Sequence, residues 1–405
     1  MRILFLTMVK INSIEDRGIY TDLLRKFRNE GHEICITTPT QRRNKENTAL
    51  KELDNVSILK VKTLNLEKSS VLEKGLGQLL LEKQYLKAIK KYFKGIKFDL
   101  VLYSTPPITF SKVVKYVKQR DNAFTYLLLK DIFPQNAVDM GMIKKNGFLH
   151  RFFLKKEKNL YRLSDAIGCM SQANVDYVLN NNPEIDVAKV EINPNSIEPI
   201  QVRQSNSEKN DIRDKYKLPR NKKIFVYGGN LGVPQGVDFL IETIDKIHYD
   251  NVFFLIVGSG TQYKKMESWF TINKPLNAIL LSALPKKDYD ALLQSCDFGM
   301  IFLHKNFTIP NFPSRLLSYL EMKMPILVAT DVHTDIGAIV ERYNCGFWVE
   351  AGDTESQKSK INEMINMDEK GLRTMQENSW ALLKNNYTVQ VSYKAIIEKV
   401  SKNKA

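Results

Sequence analysis

Short apolar runs alternating with segments of helical spacing, in two trains parted by a polar stretch, restrict this 405-residue chain to few architectures. In the first train "RILFLTM" precedes the helical "IYTDLLRKFRNEGHE" and then "ICITTP"; "FDLVLYSTPP", "AFTYLLLKD" and "DAIGCMS" follow. These runs read as strands buried on both faces, and such strands with helices between them form parallel sheets. After the polar "PNSIEPIQVRQSNSEKNDIRDKY" the pattern restarts with "KKIFVYGGN", "VFFLIVGSG", "AILLSAL", "FGMIFL" and "PILVAT". The chain is too long for one ordinary core and suits two domains of about 200 residues each. The expected division is 1–205 and 206–385. The closing "VQVSYKAIIEKVSKNKA" has helical spacing at Val391, Tyr393, Ile396, Ile397 and Val400, so residues 386–405 are expected to form a helix packing back on the first domain.

Composition excludes several classes. No segment approaches the ~18 consecutive apolar residues of a spanning helix, and "MRILFLTM" lacks a small-residue cleavage site, so it reads as a first strand with no export implied. Cys35, Cys169, Cys296 and Cys345 are scattered, with no CxxC pair and no neighbouring His. That pattern argues against zinc and against a disulfide framework, and each cysteine is expected to be a small buried hydrophobe. Of the net charge of +15, residues 1–200 carry +11 and the rest +4. The asymmetry suggests a polyanionic partner, with a solvated lysine surface as the alternative. "EKGLGQLLLEKQYLKAIKKYFKGIKF" sets Leu79, Leu80, Tyr85, Leu86, Ile89 and Phe93 against Lys83, Lys87, Lys90, Lys91 and Lys94. It is either an interfacial helix drawn to anionic lipid or a helix whose apolar stripe packs in the core.

Ligands of open parallel sheets bind outside the carboxyl ends of the strands, so the loops there matter most. "VYGGNLGVPQGVDFLIETI" places Gly228, Gly229, Gly232 and Gly236 between a strand and a helix, and "FLIVGSGTQYKKM" does the same with Gly258, Ser259 and Gly260. Neither is a GxGxxG or carries the Walker lysine. Two such loops on neighbouring strands suit a nucleotide's phosphates, while a plain tight turn needs glycine too. In "IPNFPSRLLSYLEMKMPILVAT", Ser314 is expected to cap a short helix with Arg315 in its first turn. A cation there opposes the helix dipole and is offset by an anionic ligand, or it is a surface arginine paired with a carboxylate. "YLLLKDIFPQNAVDMG" sets Asp131 at a strand end, as a general base or as a cap for the following turn. Thr105, Pro106 and Pro107 stand in a rigid loop, and Arg17 and Gly18 follow the first strand.

Taken together, the Gly-Gly-Asn-x-Gly loop, "GSG", "LPKKDYDALLQSCDFGM" and "FPSRLLSYLEMKMPIL" resemble glycosyltransferase family 4, whose α/β fold is GT-B: two Rossmann-like domains facing across a cleft. "STPP", "KDIFPQNAVDMG" and "YGGNLGVPQG" resemble the subgroup that builds O-antigen and capsule repeat units, N-acetyl-L-fucosamine transferases among them. The resemblance covers nearly the whole chain. It implies a UDP-sugar donor, UDP-N-acetyl-L-fucosamine in this subgroup, bound by the second domain. It also implies an acceptor bound by the first, no metal, no other cofactor, and a retaining reaction.

The resemblance also implies site residues. Gly229 and Asn230 match the loop near the donor phosphates. Gln235 stands where many relatives have a diphosphate-binding lysine, leaving more of that charge to Arg315. Leu284 and Pro285 match the backbone that recognises the base, and Asp131 falls where relatives carry a His or Asp against the donor sugar. Many relatives have two glutamates eight positions apart; aligned on Pro325, those positions hold Pro310 and Ser318. Glu321, one turn later, or Ser318 itself would then contact the ribose.

The expected function is transfer of a sugar to a polyprenyl-diphosphate-linked saccharide by a cytoplasmic protein, peripheral at the inner face of the plasma membrane on its anionic surface. A nucleotide-sugar epimerase of the same architecture and a non-enzymatic basic membrane or nucleic-acid scaffold are the alternatives. Nucleic acid is disfavoured as a partner because no binding motif is present and the basic residues are mixed with carboxylates.

Overall fold

In the computed structural model, residues 1–65, 71–201 and 206–403 are described. The chain divides into two compact units, Met1–Glu198 with Thr388–Ala405, and Pro199–Tyr387. The boundary expected at 205 abuts residues 202–205, which lie outside the described residues, as does the side chain of Leu79.

The first unit holds eight strands: β1 (Arg2–Leu6), β2 (Glu33–Gln41), β3 (Ala49–Leu53), β4 (Val56–Thr63), β5 (Leu100–Ser104), β6 (Phe124–Leu129), β7 (Ala166–Cys169) and β8 (Val190–Ile192). Their order is β3-β4-β2-β1-β5-β6-β7-β8, and every pairing is parallel except β3 with β4. The second unit holds β9 (Lys223–Asn230), β10 (Val252–Ser259), β11 (Ala278–Ser282), β12 (Phe298–Phe302), β13 (Ile326–Thr330) and β14 (Gly346–Glu350), ordered β11-β10-β9-β12-β13-β14 and parallel throughout. The winding direction reverses between β1 and β5 in one sheet and between β9 and β12 in the other. In a doubly wound sheet those reversals are where loops part and ligands enter.

Central strands are apolar because both faces are covered. Leu4 and Leu6 face one core layer while Ile3 and Phe5 face the other, as the period-two pleat requires. The helix Val389–Lys402 belongs to the second of these layers through Val389, Ile396 and Val400. Tyr393 packs edge-on against Phe27 with centroids 4.9 Å apart, and Ser392 donates to Asn193 Oδ1 at 2.6 Å. All four cysteines are buried and unpaired.

The basic helix Val71–Tyr92 takes the packing alternative. Leu81, Tyr85, Ala88 and Ile89, with Phe93 just beyond it, are buried in the first core. Tyr85 stacks on Phe110 at 5.3 Å and its hydroxyl donates to the Thr7 carbonyl at 2.8 Å. The apolar residues from Leu81 to Phe93 are thus packed in the core, while Leu80, Lys83, Lys87, Lys90, Lys91 and Lys94 face solvent. Among the described residues no helix is long and apolar enough to cross a membrane.

Because Ile396 is fully buried in the layer that covers β1 and β2, Ile396→Ala should cost roughly 2–5 kcal/mol. Amide hydrogen exchange at Leu4, Phe5 and Ile36 should accelerate accordingly. Unchanged protection there would show that the helix lends this sheet nothing.

Candidate functional site

At the carboxyl edge of the second sheet the reversal point is closed by one side chain. Tyr319, from the helix Arg315–Glu321, accepts from the Gly228 N–H at 3.1 Å and lies 3.2 Å from both the Val226 and the Met300 carbonyls. It therefore spans β9 and β12. One helical turn earlier, Arg315 comes to lie over Tyr227, its guanidinium carbon 4.2 Å from the ring centroid. Its Nη1 is buried and has no hydrogen-bond partner. Nη2 lies 3.6 Å from where a Cβ of Gly229 would stand, at a residue whose φ of 124° suits glycine alone. No carboxylate is bonded to this arginine, so the alternative of a surface ion pair does not apply.

The rest of the loop holds this backbone in place. Gln235 Oε1 accepts from Asn230 Nδ2 at 2.8 Å and from the Gly232 N–H at 3.1 Å. A Cβ on Gly258 would strike the Gly229 carbonyl, and one on Gly260 the Leu231 carbonyl. These two glycines are thus required by the close approach of β9 and β10. Leu284 and Pro285 follow β11, with Pro285 exposed just before the helix Lys286–Gln294.

The remaining expected residues are placed as follows. Ser314 is exposed, with helical dihedrals and no side-chain cap bond, which corrects the capping expectation. Ser318 is half-buried. Glu321 is only 2% exposed, and its Oε1 accepts from the Ile200 N–H at 3.0 Å. Its carboxylate supports the chain where it begins the second unit.

In the first unit, Thr105 just past β5 braces the loop after β6. Its Oγ1 accepts from the Lys130 N–H at 3.0 Å and donates to the Asp131 carbonyl at 3.1 Å. Both carboxylate oxygens of Asp131 lie 3.0 Å from Asn136 Nδ2. Burial pushes the Asp131 carboxyl up to about 6, against the opposing pull of Asn136 and the Ile132 N–H. The helix Gln135–Asp139 has no side-chain cap bond at Pro134; Asp131 reaches it through the Asn136 side chain. Its neighbour Lys130 is pushed down to about 7 by burial, and its Nζ donates to the Asn193 carbonyl at 2.9 Å. Gly18 begins the helix Ile19–Asn29, its N–H bonded to Asp22 Oδ1 at 3.0 Å, and half-buried Arg17 precedes it.

Three features are not foreshadowed by the motifs. Tyr227, Tyr289 and Tyr319 surround Arg315 from three different elements. Lys130 looks like an ordinary lysine after a strand. Glu157 lies inside a basic run yet is buried, and its carboxyl is raised to about 8 by burial although the Tyr161 hydroxyl donates to it at 2.9 Å. It lines a cavity of about 210 Å³ with Ile132, His150, Tyr161 and Tyr177. Among the described residues no three His, Cys, Asp or Glu side chains are grouped to hold a metal.

Residues 208–379, within the second unit, match the family described as "Glycosyl transferases group 1". Among curated proteins the chain is similar to the "Probable glycosyltransferase WbjE" of Pseudomonas aeruginosa, 20% identical over 337 residues and covering 80% of this chain and 79% of that one. Among solved structures it resembles HepE of Anabaena in complex with UDP-glucose, with a TM-score of 0.71, 16% identity, and coverage of 99% of this chain and 100% of that one. It also resembles the E. coli structure described as "Trehalose-6-phosphate from E. coli bound with UDP-2-fluoro glucose", with a TM-score of 0.75, 10% identity and coverage of 99% of both chains. At these identities the likeness is one of fold, and the fold is GT-B.

The environment of Asp131 makes a stability test available. Its folded value of about 6 lies above the ordinary 3.8, so the fold favours the protonated acid. That contribution is complete below the unfolded value and is lost as pH rises through about 6. Asp131→Asn should therefore raise the denaturant midpoint at about pH 7.5 and lose this advantage below about pH 4. An equal gain at both values would mean that ionisation of Asp131 is not disfavoured by the fold.

Proposed function

We propose that the chain is a transferase moving a sugar from a UDP-sugar to the saccharide of a polyprenyl-diphosphate acceptor in O-antigen or capsule synthesis, with UDP-N-acetyl-L-fucosamine as the donor. The observation that carries this reading is Arg315: a buried guanidinium nitrogen without an acceptor, beside a positive-φ glycine, at the reversal point of the second sheet. An anionic diphosphate is the ligand that satisfies it. The donor-complexed fold neighbours and the group 1 domain support the same choice. The polysaccharide context is drawn from the subgroup motifs.

In this reading the bond from the anomeric carbon to the diphosphate breaks, and its electron pair stays on the leaving oxygen. Arg315, beside the Gly229 backbone at the end of β9, stabilises that developing charge. The acceptor hydroxyl attacks the anomeric carbon, and its proton passes to the departing diphosphate oxygen, which holds the electron pair of the broken bond. Asp131 is assigned the sugar end, where an ionised carboxylate supports the developing positive charge. Ser318 is assigned the ribose hydroxyl, and Leu284 with Pro285 the base. Retention at the anomeric carbon follows the family. In this reading Arg315 neutralises the diphosphate without a metal, and the peripheral, cytoplasmic-face location goes with the lipid-linked acceptor.

Calorimetry and turnover separate these roles. Arg315→Ala should weaken UDP binding by about ten- to hundredfold, since charge-assisted contacts are worth ~1.5–3 kcal/mol. Arg315→Lys should recover part of it, because lysine keeps the charge without the planar fork. Asp131→Asn should lower turnover while UDP affinity stays near that of the parent, and EDTA should leave turnover unchanged. If Arg315→Ala binds UDP as tightly as the parent while folded, the donor site is elsewhere. Product mass measured with candidate lipid acceptors distinguishes transfer from epimerisation.

A further inference from the structure

We propose that the segment 141–156 is a docking surface for an anionic lipid bilayer. It deepens the reading of a lipid-linked acceptor and rests on that reading for the choice of a bilayer as partner. The segment reads "GMIKKNGFLHRFFLKK" and contains Lys144, Lys145, Arg151, Lys155 and Lys156 without a single Asp or Glu. Met142 is 64% exposed, Phe148 83% and Leu149 54%. Exposed large apolar side chains cost free energy unless something covers them, and cations carried on the same segment select a negative surface; Lys156 is in addition 3.8 Å from Glu82.

These side chains are presented by a braced backbone. The Gly147 N–H donates to the Lys144 carbonyl at 3.0 Å, closing a turn in which Asn146 has a φ of 61°. Asn146 N–H donates to Nδ1 of the buried His150 at 3.2 Å, which ties that turn to the first turn of the helix Phe148–Leu163. Phe153 holds the helix from its inner side by packing edge-on against Phe133 at 5.1 Å, and Glu157 and Tyr161 are buried one and two turns on. Phe148 and Leu149 therefore project from an anchored end. Arg151, Lys155, Lys158 and Arg162 continue along one side of the same helix around Leu154.

Two other places were candidates for this role, and the structure disfavours both. The more lysine-rich helix Val71–Tyr92 has spent its apolar stripe on the core, as described above. Ile272 and Leu276 are exposed at 78% and 94%, yet only Lys274 stands between them. Among the described residues, the segment 141–156 joins three exposed large apolar side chains, Met142, Phe148 and Leu149, to a cluster of lysines and arginine.

Sedimentation with vesicles of phosphatidylglycerol and phosphatidylcholine, against phosphatidylcholine alone, tests the assignment without donor or acceptor present. The full-length chain should bind the anionic vesicles, more weakly as salt is raised. Phe148→Ser with Leu149→Ser should reduce the partition coefficient about tenfold or more, given ~0.8 kcal/mol per buried methylene equivalent. Lys144→Gln with Lys145→Gln should flatten the salt dependence. Lys87→Gln with Lys90→Gln, and Leu276→Ser, should bind like the parent. The proposal is overturned if the parent ignores anionic vesicles, if the Phe148 and Leu149 variant binds as the parent does, or if the Lys87 and Lys90 pair carries the effect. It is also overturned if the parent dimerises in sedimentation velocity and the Phe148 and Leu149 variant is monomeric, since a second copy would then cover the patch. UDP calorimetry on the same proteins keeps the outcomes distinct: lost vesicle binding with intact UDP binding concerns this surface alone.

Discussion

The Tyr319 hydroxyl, held between the backbones of β9 and β12, is the contact on which the second unit's chemistry depends. Those two strands pair only over Phe298–Gly299 with Phe225–Val226 before they diverge. Beyond that point the ladder stops, although Tyr227, Gly228 and Met300–Phe302 stay buried. A buried phenol whose oxygen meets one N–H and two carbonyls closes the gap at its base and fixes the helix that carries it. Gly299 is needed for the same reason, since a Cβ there would run into the Tyr319 ring. With the helix fixed, Arg315 has no freedom to seek a carboxylate and is left over the face of Tyr227.

Charge satisfaction separates working groups from supporting ones. Glu321 looks like a candidate ligand by position, but its carboxylate is buried against the Ile200 N–H. Arg213 is likewise buried, and it is consumed by the carbonyls of Ser295, Pro219, Arg220 and Lys222 and by Asp297. Arg315 differs because Nη1 finds nothing. A buried donor left unmade is expensive, so its persistence argues for a partner that arrives from outside. In the first unit Asp131 shows a milder form of the same tension, bonded to one amide group while burial resists its ionisation.

Much of the fold was legible in the sequence because central parallel strands advertise themselves. β1, β2, β5, β6 and β7, and β9 to β13, each contain one of the short apolar runs that mark a strand. The strands that went unread are edge or near-edge ones: β3 with its exposed "ALKEL", β4 with alternating lysines, short β8, and β14 with a half-buried Phe347 and Trp348. A strand covered on one face only, or on neither, carries polar residues and loses that signature. The candidate site was legible unevenly for a related reason. Glycines and a Pro-Ser-Arg triplet stand out locally, whereas the three tyrosines around Arg315 come from residues 227, 289 and 319 and look like ordinary core aromatics. Glu157 is hidden more completely, since nothing in "KKEK" marks the one member that turns inward.

The same limit explains why the sequence left two readings of the basic helix open. Amphipathic spacing states that a stripe must be covered but not by what, and Val71–Tyr92 and Phe148–Leu163 both combine lysines with aromatics. Packing decides between them. In the first helix the aromatics reach inward, with Tyr85 on Phe110 and Phe93 edge-on to Phe98 at 5.7 Å, so its lysines are the solvated side of a core element. In the second, Phe153 and Tyr161 already anchor the inner face, which leaves Phe148 and Leu149 surplus to the core. A surplus aromatic at the start of an anchored helix, in a segment with Lys144, Lys145, Arg151 and Lys155 beside a Lys156 paired to Glu82, has no intramolecular role left to fill. The difference between the helices is therefore one of unused apolar surface rather than of charge, and it follows from how many aromatic residues the sheet beneath each helix can accommodate.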